Sequence, residues 1–357
     1  EIIPYLNNPE NKQGTLYEHC LVSIEKTLTA MGSHGLPLML GGDWNDSLDE
    51  IGKNRRGESV WLSLFLSFVL TEFSKICEFK NDIDKANNFN AIARRQVELV
   101  EKLAWNDSWF IRAFDDDGKA VEFIDSIVQS WSVICNLVNK DMAQSAMNSV
   151  ISKLVDRKNQ VVKLLTPPIP AETVPYLGYI QQYPPGIREN GGFYCHAAVW
   201  VAWALAKQGD GNSALEIIDM INPFKRTSTQ EGINRYMVEP YVLSSDIDSS
   251  GPNMGRGGWS WYTGSAATLY IVLMEEIFGL KLQKSSLTID PCLPREWKNI
   301  SITYHYLSTT YQIEINNPSS VSRGVKEIFL DGQKQASNQI ILVNDSATHR
   351  VEVCLCA

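Results

Sequence analysis

A mainly helical chain, arranged as a toroid and followed by a small all-β domain, is the fold class this sequence predicts. Three observations carry the expectation. Apolar residues recur at helical spacing through the first 280 positions, and long loops rich in Gly, Pro and aromatic residues separate the helical stretches. After Gly279 the pattern changes to short, alternating, β-branched runs.

Leu16, Cys20, Ile24 and Leu28 repeat every four residues, and Leu21 and Met31 widen the stripe, which predicts an amphipathic helix. Ser59 is placed to cap a second helix reaching Phe79, with Leu and Phe around most of its circumference, the pattern of a buried helix. Its most apolar part, residues 60–70, is expected to be too short and too broken by Ser to span a bilayer. Further helices are expected at 87–105, 125–139, 142–155, 192–208, 211–220 and 262–279, with loops at 35–58, 106–123, 163–191 and 223–261. Hairpins of helices whose loops carry the Trp, Asp and Arg residues predict a toroid with a site at one end. Strands are expected at 286–290, 301–306, 309–315, 326–330, 339–343 and 350–355, divided by turns such as Asn316-Asn317-Pro318 and Asp331-Gly332. The expected domains are therefore 1–280, helical, and 281–357, all-β.

The bulk numbers narrow the function. A net charge of −9 over 357 residues gives no broad attraction for a phosphate backbone, so nucleic acid is a poor partner. Ten Trp residues supply faces that stack on sugar rings or bases alike. Seven cysteines, without a CxxC pair and odd in number, argue against a disulfide framework or zinc knuckle and for a reducing, cytoplasmic setting. The first residues show no basic stretch leading into an apolar run, so no signal peptide is expected; lacking an initiator Met, a truncated or processed chain stays open.

Three strings hold the candidate chemistry. In Gly41-Gly42-Asp43-Trp44-Asn45-Asp46, two glycines leave room for a ligand, Trp44 can stack on a pyranose, and Asp43 and Asp46 can divide acid and anchoring roles. An Asp-rich turn accounts for the same residues equally well. His196, after Gly191-Gly192 near an expected helix start, can donate to an anion, although a lone His is more often structural. Cys195 beside it lacks a basic partner and is expected to be packed. The run from Gly255 to Ser265 enters a helix through Thr263 and Gly264, a plausible oxyanion nest or else a tight packing turn. Glu239-Pro240-Tyr241 reads as an active-site loop or a turn, Arg112 with residues 115–117 as a cleft wall or a charged surface, and Asp125 as a helix cap. No metal-ligand spacing, GxGxxG, GxSxG or HExxH is present.

Together these strings resemble glycoside hydrolase family 94, the inverting disaccharide and oligosaccharide phosphorylases with the phosphorylase-like region of cyclic β-1,2-glucan synthases. The likeness runs in order through residues 36–46, Arg56-Gly57-Glu58-Ser59-Val60-Trp61, Ile124-Asp125-Ser126-Ile127, residues 186–192, His196-Ala197-Ala198-Val199-Trp200, residues 238–242, 255–265 and 289–294. It implies an (α/α)6 barrel, here a C-terminal part of one, followed by a β domain. It places the general acid on Asp46 and the sugar site on Trp44 and Asp43, with Tyr183, Arg188 and Glu239 around it. Phosphate falls to His196, Thr263 and Gly264. Ser47 departs from the small residue, often Gly or Cys, that follows the acid in the family.

The implied reaction is phosphorolysis of a β-linked gluco-oligosaccharide, with a β-1,2-glucan among the candidate substrates, to an α-sugar 1-phosphate, with inorganic phosphate as co-substrate, no other cofactor and no metal. An inverting hydrolase using Glu189 or Glu239 as base, or an incomplete carbohydrate-binding chain, are the competing readings. The family's N-terminal sandwich and early barrel helices are not matched here, so a homodimer or association with such an N-terminal portion is expected, and no membrane partner.

Overall fold

The computed structural model describes residues 2–5, 12–261 and 263–356, with Thr263 described by its backbone alone. Its helices are α1 (Leu16–Leu28), α2 (Val60–Phe79), α3 (Ile83–Leu103), α4 (Ser126–Ile134), α5 (Lys140–Lys153), α6 (Cys195–Lys207), α7 (Gly211–Ile221), α8 (Pro223–Arg226), α9 (Gln230–Tyr236) and α10 (Thr263–Ile271). Short α8 and α9 lie inside the stretch expected to be loop. The chain forms two compact units, Glu1–Ser149 with Thr166–Pro184, and Val150–Leu165 with Pro185–Ala357.

In the first unit the helix starts follow local chemistry. Thr15 and Glu18 form a reciprocal cap on α1, and the Ser59 hydroxyl accepts from the Leu62 N–H at 3.0 Å on α2. The core joins Leu21 and Ile24 of α1, Leu66, Leu70, Phe73 and Cys77 of α2, and Ala86, Phe89 and Ala93 of α3. Small residues bring α2 and α3 together: the buried Ser67 hydroxyl lies 2.8 Å from the Ser63 carbonyl and 3.1 Å from that of Ala93. At 20 residues, α2 as a whole is long and apolar enough to cross a bilayer, by length and composition only. Its apolar surface is instead largely core, with Trp131 of α4 edge-on to Phe65 and Phe68.

In the second unit, α6 packs on α7 and α10. Of the α6 residues only His196, Trp203 and Lys207 escape full burial, because its alanines let neighbouring helices approach closely. After α10 the chain winds through a π-helical segment, Val272–Ile277, into strands. Leu280–Gln283, Ser286–Ile289 and Gln339–Ile341 form one sheet. Asn299–Tyr306, Thr309–Asn316, Thr348–Leu355, Val325–Leu330 and Gln333–Lys334, in that order, form the other. Thr309–Asn316 runs parallel to Thr348–Leu355, and Tyr311, Ile313, Ile315, Val351 and Val353 point to one buried face at the period of two that the sequence displays.

Candidate active site

The loop carrying Asp43 and Asp46 is built on close backbone approach. Gly42 has φ +123°, and a Cβ there would sit 2.9 Å from the Asp46 Cα. Asp43 is consumed by the fold. Its two carboxylate oxygens accept from Arg112 Nη1 and Nη2 at 2.7 and 2.6 Å, from the Ser59 hydroxyl at 2.5 Å and from the Asn45 N–H at 3.0 Å. Arg112 is wholly buried and its Nε also donates to Asp125 at 2.9 Å, while Asp125 caps α4 through the Ile127 N–H. Burial opposes the charge on Arg112, but the two carboxylates outweigh it and hold its pKa above the ordinary value. One guanidinium serving two buried carboxylates leaves Asp125 short of compensation, and burial pushes it up to about 6.

Asp46, three residues on, is exposed, and among the described residues its carboxylate has no hydrogen-bond or ionic partner. Trp44 between them is half-buried. A second loop braces this one from behind. Gly178, at φ +141°, lies so near that a Cβ would come within 2.3 Å of the Ser47 carbonyl. The Ile180 N–H donates to that carbonyl at 3.0 Å, and the Tyr179 N–H to Asp49 at 3.1 Å. Tyr183 ends the turn Tyr179–Gln182 that these bonds fix, its ring edge-on to Tyr179. The first unit therefore brings Asp46, Trp44 and Tyr183 onto one pair of interlocked loops.

In the second unit Arg188 and Glu239 each meet a tryptophan of the same string, Trp259 and Trp261. The Arg188 guanidinium lies 4.8 Å from the centre of the Trp259 ring and 3.3 Å from Glu189, which is buried. Glu239 is half-exposed and accepts from the Trp261 indole N–H at 3.2 Å, and its pKa is lowered by its own backbone N–H and by Trp261. Trp261 meets the Tyr241 ring edge-on, and Trp259, Trp261 and Tyr241 are about two-thirds exposed, at 65%, 66% and 67%. Such a platform suits the faces of sugar rings.

A further candidate corner forms where α6 and α10 pack. His196 Nε2 lies 3.2 Å from the Thr268 hydroxyl, which is 2.9 Å from the Gly264 carbonyl in the first turn of α10. A Cβ at Gly264 would meet nothing within 4 Å among the described residues, so the first turn is open on that side. Burial pushes His196 down to about 4, which keeps its imidazole neutral at pH 7. The Thr263 side chain, expected to join the phosphate site, lies outside the described residues. Cys195 is packed as expected: it is fully buried, its thiol 3.7 Å from the Ser244 hydroxyl, and burial pushes it up to about 12.

Arg112 and Asp125 anchor the loop carrying Asp43 and Asp46, a role that reading Arg112 as cleft wall or surface misses. Glu58 is a second omission: buried, it accepts from the backbone N–H groups of His34 and Leu36 at 3.0 Å and so pins the loop leading to Leu38. The Trp261 pair with Glu239 is a third, and the Trp-rich string around it was the available signal. No group of three or more His, Cys, Asp or Glu among the described residues could hold a metal ion.

Comparison with known proteins fits this arrangement. Residues 1–279 match the family model described as the glycosyl hydrolase 94 superfamily, catalytic domain. The chain is 36% identical over 345 residues to the cyclic beta-(1,2)-glucan synthase NdvB of Rhizobium meliloti (strain 1021), covering 95% of this chain and 12% of that protein. It is 30% identical over 362 residues to the solabiose phosphorylase of Paenibacillus borealis, covering 99% of this chain and 46% of that enzyme. The chain thus spans less than half the length of either relative. In fold alone it is similar to a solved sialidase, with a TM-score of 0.63 at 12% identity, over 94% of this chain and 30% of that one. This chain belongs to the glycosyl hydrolase 94 superfamily, and residues 1–279 are the part that matches its catalytic domain.

Proposed function

We propose that this chain carries the acid and part of the phosphate site of an inverting β-glucoside phosphorylase. The observation that carries the reading is the contrast within one loop: Asp43 is locked by Arg112 and Ser59, whereas Asp46 projects exposed and without a partner among the described residues. Asp46 in its acid form gives its proton to the glycosidic oxygen as the bond to C1 breaks. A phosphate oxygen forms the new bond to C1 from the opposite face, inverting the centre and yielding an α-sugar 1-phosphate. Protonated phosphate returns a proton to Asp46 through solvent. Phosphate takes the place of water and of its activating base, so one carboxylic acid suffices.

Trp44 and Tyr183 would hold the sugar beside Asp46, and Asp43 would position the loop rather than touch the sugar. Arg188 and Glu239, with Trp259 and Trp261, would offer a second sugar surface. His196 and Gly264 would bind phosphate together with Thr263. The Thr268 hydroxyl gives its single proton to the Gly264 carbonyl, so toward His196 its oxygen accepts, and the proton of the neutral imidazole sits on Nε2.

Several finer features belong to the same proposal. The helices would form part of an (α/α)6 toroid ending at residue 280, with residues 281–357 as the β domain; the family match, which stops at 279, supports that boundary. The substrate would be a β-linked gluco-oligosaccharide, with a β-1,2-glucan favoured by the identity to a cyclic beta-(1,2)-glucan synthase. The active assembly would include either a second copy or a further portion such as the longer relatives carry, in a cytoplasmic setting.

The test is a panel of β-linked disaccharides and short glucans incubated with the protein, with and without inorganic phosphate, products read by NMR. An α-configured sugar 1-phosphate formed only with phosphate is the expected result. Free reducing sugar released equally without phosphate would overturn it in favour of hydrolysis, with Glu239 as the accessible candidate base.

A further inference from the structure

Away from His196, the second unit encloses a cavity of about 200 Å³ walled by the turn at 158–160, the end of α7, α8 and α9. Four cations line it, Lys158, Lys225, Arg226 and Arg235, against one carboxylate, Asp219. This sign is opposite to the −9 of the whole protein.

Two of these cations have acidic neighbours. Arg235 is paired with Glu231 at 2.6 Å, and Lys225 lies 3.6 Å from Asp219. Lys158 is exposed and has no ion pair among the described residues. Arg226 is the informative one. Its Nε donates to the Met220 carbonyl at 2.7 Å and its Nη2 to the Gln160 carbonyl at 2.5 Å. The guanidinium also lies 5.3 Å from the Phe193 ring centre and 6.0 Å from that of Tyr236.

Those contacts leave Nη1 and the second hydrogen of Nη2 without a partner among the described residues, and no carboxylate there neutralises the charge. Burial disfavours the charge on Arg226, and neighbouring Arg235 adds to the penalty. A partly desolvated guanidinium with unused donors is costly unless an anion completes it.

The chemistry selects the anion. A carboxylate would satisfy the Arg226 fork alone, leaving two lysines facing the same space. A phosphoryl group has oxygens for the fork and for the lysines, and enough charge to balance more than one of them. The space is half open to solvent, so it admits free phosphate and the phosphate of a monoester alike.

We propose that this cavity is a binding site for a phosphoryl dianion, as inorganic phosphate or as the phosphate of a small monoester, separate from the corner at His196. It stands whether or not the chain proves to be a phosphorylase.

Met220 and Met254 line the cavity, so their methyl groups report on it locally. The experiment titrates methyl-labelled protein with inorganic phosphate and, separately, with a hexose phosphate at constant ionic strength, following both methyl signals. Saturable shifts in at least one arm are expected, and the arm that gives them identifies the free anion or the ester. The Lys158→Ala/Lys225→Ala double variant, altered only at exposed side chains, should bind about tenfold more weakly or worse. Arg226→Lys, which keeps a charge but loses the fork, should also weaken binding, while His196→Ala should leave the Met220 and Met254 response intact. Methyl signals unmoved in both arms, equal shifts with matched chloride, or shifts unchanged in the lysine double variant would each overturn the site.

Discussion

In the first unit the loop bearing Asp46 is anchored by charge, with the buried Arg112 guanidinium gripping Asp43 and Asp125. In the second unit the corner at His196 is organised by the loss of charge: burial keeps the imidazole neutral, and its visible partner is a hydroxyl. The two arrangements suit different tasks. A carboxylic acid that must deliver a proton needs a rigid loop and freedom from competing cations. Spending Asp43 on Arg112 supplies the rigidity without tying up Asp46. On the proposed reading, an oxyanion that must be bound and then leave as part of a product is better met by neutral groups than by a permanent ion pair.

Breaking the charged anchor should have the largest effect on stability. Arg112→Ala leaves two buried carboxylates without their cation and should cost about 3–5 kcal/mol in a denaturant titration. A loss below about 1 kcal/mol would mean that the loop is held by its backbone contacts with residues 178–180 instead. At the neutral corner the expected effect falls on binding. His196→Ala should raise the phosphate concentration needed for half-maximal turnover by roughly 10- to 100-fold, the worth of one hydrogen bond to a charged group, with sugar binding unchanged.

The comparison also has a pH signature. His196 is lowered from 6.5 to about 4, so as pH falls through that window the unfolded chain takes up the proton first. Its contribution to stability is complete above pH 6.5 and is lost towards pH 4. His196→Gln should flatten this part of the stability–pH curve, and an NMR titration of His196 with a midpoint near 6.5 would contradict the desolvated corner. The smallest effect is expected from Ser59→Ala. It removes both the α2 cap and one donor to Asp43, for about 1–2 kcal/mol in thermal melting.

What could be read from the sequence was local. The Ser59 cap, the four-residue stripe of α1 and the alternation along Thr309–Asn316 need only near neighbours, and each is present. The position of His196 at a helix start was legible for the same reason. Its neutrality was not, because burial is set by α10 and by Thr268, 72 residues away. Arg112 was set beside residues 115–117, but it turns inward to a carboxylate 69 residues earlier. Asp116 meanwhile accepts from the backbone N–H groups of Asn54, Arg56 and Gly57 at 2.7–2.9 Å. Charge pattern along a chain shows which residues can pair, while the fold decides which of them lose water and must. The cationic cavity escaped for a similar reason, since Lys158 and Arg226 are joined only by the packing of the 158–160 turn on α8.

The division of labour between Asp43 and Asp46 is tested most directly by making the same isosteric change at each and measuring both phosphate-dependent sugar 1-phosphate formation and melting temperature. Asp46→Asn is expected to lower turnover by about 10²- to 10⁴-fold and to leave the melting temperature where it was, because the side chain is exposed and unpartnered among the described residues. Asp43→Asn is expected to lower the melting temperature clearly, because it weakens a buried, bidentate ion pair. Near-normal turnover in Asp46→Asn, or an unshifted melting temperature in Asp43→Asn, would contradict the account.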